Sequence, residues 1–157
     1  MDLVSVIIPY YKKKTFIRET IFSVLKQSYQ NLEIIVIYDD QNLDDLDFIK
    51  EIANLDIRIS ILINKKNLGA GLSRNKGIDY SKGTYIAFLD SDDVWKVDKI
   101  KKQVNFMKNN NLQASHTSYE IFDNKNQIVA VRIARNFYEI KDLLKSCDIG
   151  LSTVMLK

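Results

Sequence analysis

One apolar stretch that ends in carboxylates constrains the fold of this chain most. Tyr85 to Leu89 are five consecutive apolar residues, and carboxylates follow at Asp90, Asp92 and Asp93. An apolar run of this length, rich in aromatic and β-branched residues, predicts a strand covered on both faces. Clustered carboxylates repel one another, and their burial is unfavourable unless a cation is bound. The stretch therefore predicts acids at the carboxyl edge of a parallel sheet, where open α/β sheets bind ligands.

A divalent metal is the cation that this acidic turn, Asp90 to Asp93, favours. Mg²⁺ and Mn²⁺ take one or two carboxylates and keep their other positions for phosphate oxygens and water. Alternate residues at a strand end point to the same side, which makes Asp90 and Asp92 a natural pair of ligands. The alternative is that Asp92 or Asp93 caps the helix that follows. Because one acid is enough for a cap, the cluster of three favours the metal site.

Strands alternate with helices along the first part of the chain, and the alternation of Ile57, Ile59 and Ile61 indicates that one face of the third strand is only partly covered. The predicted strands are Val4–Ile8 (closed by Pro9), Glu33–Tyr38, Ile57–Ile63 and Tyr85–Leu89. The predicted helices are Phe16 to Gln27 with Thr15 as N-cap, a helix through Phe48, Ile49 and Ile52, and Leu72–Tyr80. The order β-α-β-α-β-α-β with short connections predicts an α/β fold with a doubly wound, mostly parallel sheet.

The second part of the chain predicts a small antiparallel addition to this sheet. Apolar residues at helical spacing predict a helix through Val97, Ile100, Val104 and Met107. Further along, the pattern predicts strands Ser115–Phe122 and Ile128–Ile133 around a turn at Asp123–Asn126, a short helix at Ile140, Leu143 and Leu144, and a last strand, Gly150–Leu156. A chain of 157 residues fits one domain, residues 1–157.

Composition excludes several classes of protein. A net charge of only +3 argues against a nucleic-acid partner, and 46% hydrophobic with 27% charged residues is typical of a globular domain. The single cysteine, Cys147, excludes an intramolecular disulfide and is predicted to be a buried apolar residue; His116 is predicted to be structural. No apolar run is long enough for a membrane span, so the sequence predicts a cytoplasmic protein. The sequence leaves open whether the chain contacts the inner face of a membrane and whether it forms a homodimer.

Four further features are candidates for ligand binding. Asp39-Asp40 ends the second strand, and the acids either face the same ligand as the acidic turn or serve as loop or capping residues. Gly69–Gly71 precedes a helix and could cradle phosphate, although a turn is the better interpretation. Arg74 could pair with a diphosphate or be an exposed charge. Tyr11 could stack on a nucleobase, although a core or rim aromatic is favoured from the residues alone.

Four segments resemble the family-2 glycosyltransferases. They are Val-Ser-Val-Ile-Ile-Pro-Tyr-Tyr at 4–11, Glu-Ile-Ile-Val-Ile-Tyr-Asp-Asp at 33–40, Asn-Leu-Gly-Ala-Gly-Leu-Ser-Arg-Asn-Lys-Gly at 67–77 and Gly-Thr-Tyr-Ile-Ala-Phe-Leu-Asp-Ser-Asp-Asp at 83–93. The resemblance covers essentially the whole chain in the family's order. It implies the GT-A fold, with Rossmann-like nucleotide binding, and an inverting transfer of sugar from a nucleotide-diphosphate sugar, a UDP-sugar above all. It also implies a role in bacterial surface polysaccharide or lipooligosaccharide synthesis, with a glycan or lipid-linked acceptor.

The resemblance also implies roles for individual residues. Those assigned to the donor are Pro9 and Tyr11 in the base pocket, Asp39 at the base, Arg74 at the diphosphate, and Asp90-Ser91-Asp92 as the family's D-x-D motif. In that motif Asp90 would face the ribose or the waters of the metal, and Asp92 would ligate Mn²⁺ or Mg²⁺. The metal would bridge the diphosphate and stabilise the leaving nucleotide. Asp93 is then expected to be a helix cap.

The sequence departs from the family in three places. Tyr38-Asp39-Asp40-Gln41 stands where the family usually has Asp-Asp-Gly-Ser, and Lys12 stands where Asn is frequent. An inverting transferase needs a general base, and the family's segment that carries it would lie beyond Lys157. Residues 1–157 are therefore expected to be a donor-binding domain without the acceptor part of the family. The alternative is a non-catalytic nucleotide-sugar-binding module.

Two other classes with related sheets fit less well. A phospho-acceptor receiver domain needs an acidic pair after the first strand, where this chain has Pro-Tyr-Tyr. A sugar nucleotidyltransferase begins with a glycine-rich, arginine-bearing loop at the same point, and this chain does not have one there.

Overall fold

The computed structural model describes residues 1–146 and 148–157, and Cys147 lies outside them. The strands are β1 Val4–Tyr10, β2 Leu32–Tyr38, β3 Ile59–Ile63, β4 Tyr85–Phe88, β5 Ala114–Ser115, β6 Tyr119–Phe122, β7 Ile128–Arg132 and β8 Met155–Leu156. The α-helices are α1 Lys14–Leu25, α2 Leu43–Ala53, α3 Gly69–Tyr80, α4 Lys99–Asn109 and α5 Ile140–Lys145. A 3₁₀ turn spans Leu151–Thr153.

Six of the strands form one sheet in the order β3-β2-β1-β4-β8-β5. The pairs β1–β2, β1–β4 and β2–β3 are parallel, whereas β8 is antiparallel to both β4 and β5. Strands β6 and β7 form a separate antiparallel hairpin. The predicted α/β fold with a mostly parallel, doubly wound sheet and a small antiparallel addition is confirmed.

Helices cover both faces of the sheet, which explains why β1 and β2 are apolar almost without a break. Val6 and Ile8 belong to one buried cluster together with residues of α1, α2 and α4. Ile7 and its neighbours in β2 belong to a second cluster on the opposite face. Helix α3 covers that second face so closely that a Cβ added at Gly77 would lie 2.6 Å from Ile7 Cγ2. A strand buried on both faces has no polar side, so its sequence shows no alternation.

The prediction that Pro9 closes the first strand is wrong, because Pro9 lies within β1. The carbonyl of Ile7 accepts a hydrogen bond from Leu89 on the β4 side, and the carbonyl of Tyr10 accepts one from Asp39 on the β2 side. Backbone groups alternate in direction along a strand, so Pro9 faces the β4 side. The pairing with β4 has already ended there, at Ile7 and Phe88. The missing N–H of Pro9 therefore removes no hydrogen bond from the sheet.

Four predicted element starts are also wrong, and one is that of α4, which begins at Lys99 and leaves Val97 outside the helix. Helix α1 begins at Lys14, because the N–H groups of Phe16 and Ile17 both donate to the Lys13 carbonyl, so the predicted N-cap, Thr15, lies inside its first turn. Helix α3 begins at Gly69 rather than Leu72.

Strand β3 begins at Ile59, since Asp56 and Arg58 form a tight turn held by hydrogen bonds of 3.0 and 2.8 Å between their side chains. This turn leaves Ile57 fully exposed. Specific hydrogen bonds, rather than the spacing of apolar residues, set these boundaries.

The C-terminal elements are shorter than predicted. The expected strand Ser115–Phe122 is divided between β5 and β6, which belong to different sheets. The expected strand Gly150–Leu156 is a 3₁₀ turn followed by β8, because Thr153 N–H donates to the Gly150 carbonyl at 3.0 Å. The hairpin turn at Asp123–Asn126 and the short helix α5 are confirmed. Among the described residues, no helix has the length and apolar character to cross a membrane.

Candidate functional site

A cleft of about 290 Å³ lies at the carboxyl edge of the sheet, where β1, β2 and β4 end side by side. Its lining residues are Pro9, Tyr10, Tyr11, Lys13, Asp39, Asn67, Gly69, Ala70, Arg74, Asp90, Ser91 and Asp92. All seven residues that the sequence assigns to the donor and the metal are in this set. The parallel order of the strands is what brings together residues that are up to 83 positions apart in the chain (Pro9 and Asp92).

Asp39 forms the floor of the cleft and fixes the beginning of α3. Its Oδ1 accepts hydrogen bonds from the backbone N–H of Leu68 and from Asn64 Nδ2, and its Oδ2 accepts one from the backbone N–H of Gly69, all at 2.8 Å. Asn67 Nδ2 donates to the Asp39 carbonyl at 2.8 Å. A negative charge on the first N–H groups of a helix is favourable. Gly69 has a φ of +81°, a conformation that glycine adopts without strain.

Beneath the cleft, two buried tyrosines stack and anchor the neighbouring loops. The rings of Tyr10 and Tyr38 are 5.3 Å apart and nearly parallel. Tyr10 donates to Asp45 Oδ2 at 2.6 Å, which lowers the pKa of that carboxyl, and burial raises the pKa of Tyr38 to about 12. Asp40 accepts from the backbone N–H of Lys12 at 3.1 Å. These contacts hold the β1–α1 and β2–α2 loops against each other.

In the acidic turn, two carboxylates each pair with a cation from another element. Arg74 Nη2, on α3, donates to Asp90 Oδ1 at 2.5 Å, and Lys13 Nζ lies 2.8 Å from Asp92 Oδ2. The Nε of Arg74 is buried and has no hydrogen-bond partner among the residues that the structure describes. Asp90, Asp92, Lys13 and Arg74 all line the cleft, so charges of both signs face the same space.

The predicted helix cap at Asp93 is wrong, because the following helix begins only at Lys99. Asp93 Oδ2 instead accepts a hydrogen bond from Ser152 Oγ at 2.5 Å, and Ser152 Oγ accepts one from the Asp90 N–H at 3.0 Å. Desolvation raises the pKa of Asp93, and the nearby carboxylates of Asp90 and Asp92 raise it further. Trp95 Nε1 donates to the Ser152 carbonyl at 2.8 Å. The segment around Ser152 therefore supports the acidic turn from below.

The other predicted donor residues are placed differently around the cleft. Tyr11 is 46% exposed at its rim, with Lys12 Nζ 5.0 Å from the centre of its ring. Ser91 is buried, and its carbonyl accepts a hydrogen bond from Thr20 Oγ1 at 3.0 Å, which ties the acidic turn to α1. Gly69 to Gly71 form the first turn of α3 rather than a loop.

The residues at the acidic turn fit a hard divalent cation. Asp90 and Asp92 supply carboxylate oxygens to the cleft, and about a third of each side chain is exposed. Within the described ranges there is no group of three or more Asp, Glu, His or Cys side chains that could hold a metal without help. That pattern suits Mg²⁺ or Mn²⁺, which commonly bind through one or two carboxylates and complete their shell with phosphate oxygens and water.

Some residues that line the cleft or support it were not found from the sequence. Lys13 is the middle of three consecutive lysines, and nothing in that run marks which one faces the cleft. Asn67 belongs to the segment that resembles the family, but no role was assigned to it, and Ala70 was considered only as part of the Gly69–Gly71 turn. Ser152 lies 62 residues from its partner Asp90, and the sequence pattern carries no signal for that contact.

Comparison with known proteins identifies the family. The family model described as glycosyl transferase family 2 matches residues 5–153. The chain belongs to this family. Among curated relatives of this chain, the Escherichia coli UDP-Glc:alpha-D-GlcNAc-diphosphoundecaprenol beta-1,3-glucosyltransferase WfgD is 42% identical over 98% of the chain and 60% of the relative. The putative teichuronic acid biosynthesis glycosyltransferase TuaG of Bacillus subtilis is 37% identical over 98% of the chain and 62% of the relative. The chain thus spans about three fifths of the length of these two relatives.

Solved glycosyltransferase structures share the fold. S. aureus TarS 1-349 in complex with UDP-GlcNAc has a TM-score of 0.69 at 22% identity, over 81% of this chain and 37% of that one. The mannosyltransferase PcManGT from Pyrobaculum calidifontis, in complex with GDP-Man and Mn²⁺, has a TM-score of 0.68 at 18% identity, over 74% of this chain and 35% of that one. At these identities the likeness concerns the fold alone.

Proposed function

We propose that this chain binds a nucleotide-diphosphate sugar, specifically a UDP-sugar, with Mn²⁺ or Mg²⁺, for inverting transfer of the sugar to an acceptor hydroxyl. The observation that carries the proposal is the convergence of Pro9, Tyr11, Asp39, Arg74 and the acidic turn on one cleft. Two relatives, both from Escherichia coli, have names that specify UDP-Glc as donor, and a third is named for teichuronic acid biosynthesis. We extend that role, bacterial surface polysaccharide synthesis, to this chain.

The diphosphate would lie between the acidic turn and the first turn of α3. Asp90 and Asp92 would hold the metal, which when bound supplies Lewis-acid stabilisation of the leaving diphosphate. Arg74 and Lys13 line the same cleft, so both can neutralise phosphate oxygens once their partner carboxylates face a cation.

The base would lie near Tyr11 and Asp39, at the ends of β1 and β2. The half-exposed ring of Tyr11 offers a face for stacking. The carboxylate of Asp39 already accepts three hydrogen bonds. A carboxylate has about four lone-pair sites, so Asp39 can hold α3 in place and still accept one hydrogen bond from a base.

Donor binding is tested by calorimetric titration of UDP with and without Mn²⁺. The wild-type chain should bind UDP more tightly with Mn²⁺, and Asp92→Ala should lose that metal-dependent gain. The matched control is Asp47→Ala, which removes a carboxylate on the exposed surface of α2. Equal metal dependence in the wild type and Asp92→Ala would exclude Asp92 as a ligand.

Two experiments define the donor and separate transfer from binding. A thermal-shift panel of UDP-, GDP-, dTDP- and CMP-sugars, with and without Mn²⁺, identifies the donor, because a ligand of the folded state raises its melting temperature. Turnover needs a general base. Metal-dependent binding without turnover would therefore favour the alternative, a nucleotide-sugar-binding module.

We place the reaction in the cytoplasm, at the inner face of the membrane, where a lipid-linked acceptor is within reach.

A further inference from the structure

A second and larger cavity, of about 440 Å³, opens between the β6–β7 hairpin and the segment that precedes β8. We name it the arginine pocket. It is lined by Tyr119, Val131, Arg132, Ile133, Arg135, Tyr138 and Asp148. Its lining residues thus comprise two arginines, one aspartate, two tyrosines and two aliphatic residues. None of these residues lines the cleft at the acidic turn.

Aromatic contacts hold Arg135 in place at this pocket. Its guanidinium carbon lies 5.4 Å from the centre of the Tyr138 ring, and the His116 ring packs edge-on against the same ring at 5.2 Å. Arg135 Nη2 is 3.9 Å from Asp148 Oδ2, which is longer than a hydrogen bond. Stacking leaves the N–H groups at the edge of the guanidinium available to a ligand.

The arginine pocket adjoins the support of the acidic turn. The Tyr119 ring packs against Gly150, where an added Cβ would lie 3.3 Å from Tyr119 Cε1. Two residues later, Ser152 bonds to Asp90 and Asp93. Lys96 Nζ forms a second link, 2.7 Å from Glu120 Oε1 on β6. A ligand in this pocket would therefore lie across the Gly150–Ser152 segment from the donor cleft.

The lining selects a particular class of ligand. Paired arginines bind phosphate oxygens through the planar fork of the guanidinium, and the tyrosine hydroxyls can add hydrogen bonds. Val131 and Ile133 line the same pocket. This combination suits an anionic phosphate group attached to an apolar chain.

We propose that the arginine pocket binds the diphosphate of a lipid-linked acceptor. This rests on the proposed function, in which Arg74, Lys13 and the metal are occupied by the diphosphate of the donor. A second diphosphate in the same enzyme needs cations of its own, and Arg132 and Arg135 supply them on the neighbouring side of the acidic turn. The site would hold the acceptor so that its sugar hydroxyl reaches toward the donor.

The test is a calorimetric titration with farnesyl diphosphate, in EDTA to exclude effects of metal. The wild-type chain should bind it, and the double variant Arg132→Gln, Arg135→Gln should bind at least about tenfold more weakly, the effect of losing about one charge-assisted hydrogen bond. The control is Lys125→Gln, which removes a cation at the turn of the same hairpin, outside the pocket lining, and should bind as the wild type does. The double variant should keep its melting temperature and its affinity for UDP with Mn²⁺.

Several results would overturn the proposal. Equal affinity in the wild type and the double variant would show that the arginines do not bind the ligand, and displacement of farnesyl diphosphate by UDP would place it in the donor cleft. If inorganic pyrophosphate binds as tightly as farnesyl diphosphate, the pocket does not recognise the lipid chain. If farnesol binds as tightly, the pocket does not recognise the diphosphate. Arginine-dependent binding in a chain that fails to bind UDP would refute the proposed donor site while leaving this diphosphate site standing.

Discussion

The contacts of Asp39 predict a large effect from the smallest change of its side chain, Asp39→Asn. The substitution keeps the shape and removes the charge. Because Asp39 is 2% exposed and accepts hydrogen bonds on both oxygens, an asparagine must turn its NH₂ group toward at least one N–H donor. If it keeps the oxygen toward Leu68 and Asn64, its NH₂ group faces the N–H of Gly69. The flipped amide loses two hydrogen bonds instead of one.

The magnitude follows from these contacts. A buried N–H left without an acceptor costs about 1–3 kcal/mol. The loss of a negative charge at the N-terminus of a helix removes about 0.3–1 kcal/mol more, and the remaining hydrogen bonds lose their ionic character. We therefore expect Asp39→Asn to lower the free energy of unfolding by about 2–4 kcal/mol. For a domain of this size the melting temperature falls by about 2–4 °C per kcal/mol, so a decrease of about 4–16 °C is expected.

The assay is thermal unfolding followed by circular dichroism, with Asp47→Asn as control. Asp47 is an exposed residue of α2 with one ion pair to Lys50, and its loss should change the free energy of unfolding by less than about 0.5 kcal/mol. Titration with UDP and Mn²⁺ then measures whether the variant also loses donor affinity. If Asp39→Asn melts within a degree or two of Asp47→Asn, the carboxylate does not stabilise the beginning of α3 and the reasoning is refuted.

Three further changes test other parts of the structure. Gly77→Ala places a methyl group 2.6 Å from Ile7 Cγ2 and should lower the free energy of unfolding by about 1–3 kcal/mol. Gly71→Ala, on the same helix but with nothing within 4 Å of the new Cβ, should raise it by up to about 1 kcal/mol; equal melting temperatures would contradict the close packing of α3. Burial lowers the pKa of Lys99 to about 7, against roughly 10.4 in the unfolded chain. From about pH 7 to about pH 9 the unfolded chain therefore holds a proton that the folded chain has lost, and the free energy of unfolding in urea should rise by about 2 kcal/mol. Lys99→Met should show a smaller rise in the free energy of unfolding with pH. An equal rise in the wild type and Lys99→Met would show that other groups cause it. Ser152→Ala removes two hydrogen bonds of the acidic turn and should weaken UDP–Mn²⁺ binding several-fold in calorimetry; unchanged affinity would show that the turn holds its shape without that support.

The fold could be predicted from the sequence because its strongest signals are local. A strand buried on both faces is a continuous apolar run, and three such runs with a partly exposed edge strand, all separated by helices, permit few arrangements other than a doubly wound sheet. The errors are at positions decided by neighbours in space. Pro9 looks like a strand end until the structure shows that no strand pairs with Pro9 on the side of its missing N–H. Gly69 looks like part of a loop until the structure shows that Asp39 accepts hydrogen bonds at the beginning of α3.

The candidate site was predictable where residues follow strands and unpredictable where they come from elsewhere. The positions of Asp39, Asp90 and Asp92 at strand ends follow from the order of the sheet. The ion pair of Lys13 with Asp92 and the support by Ser152 depend on the course of loops that no periodicity describes. Asp93 shows this limit well, since an acid before a helix is a reasonable cap and here bonds to a serine 59 residues away.

The position of β8 bears on how the cleft assembles during folding. This strand, near the end of the chain, fills the place between β4 and β5, and the segment just before it carries Ser152. The parallel strands β1 to β4 can therefore associate while the acidic turn still lacks its support. Strand β8 pairs with β4 over two residues and with β5 over two, against seven pairs between β1 and β2, so it needs the formed sheet as a template. Maturation of the binding edge is thus expected to be a late event, after the main parallel sheet has formed.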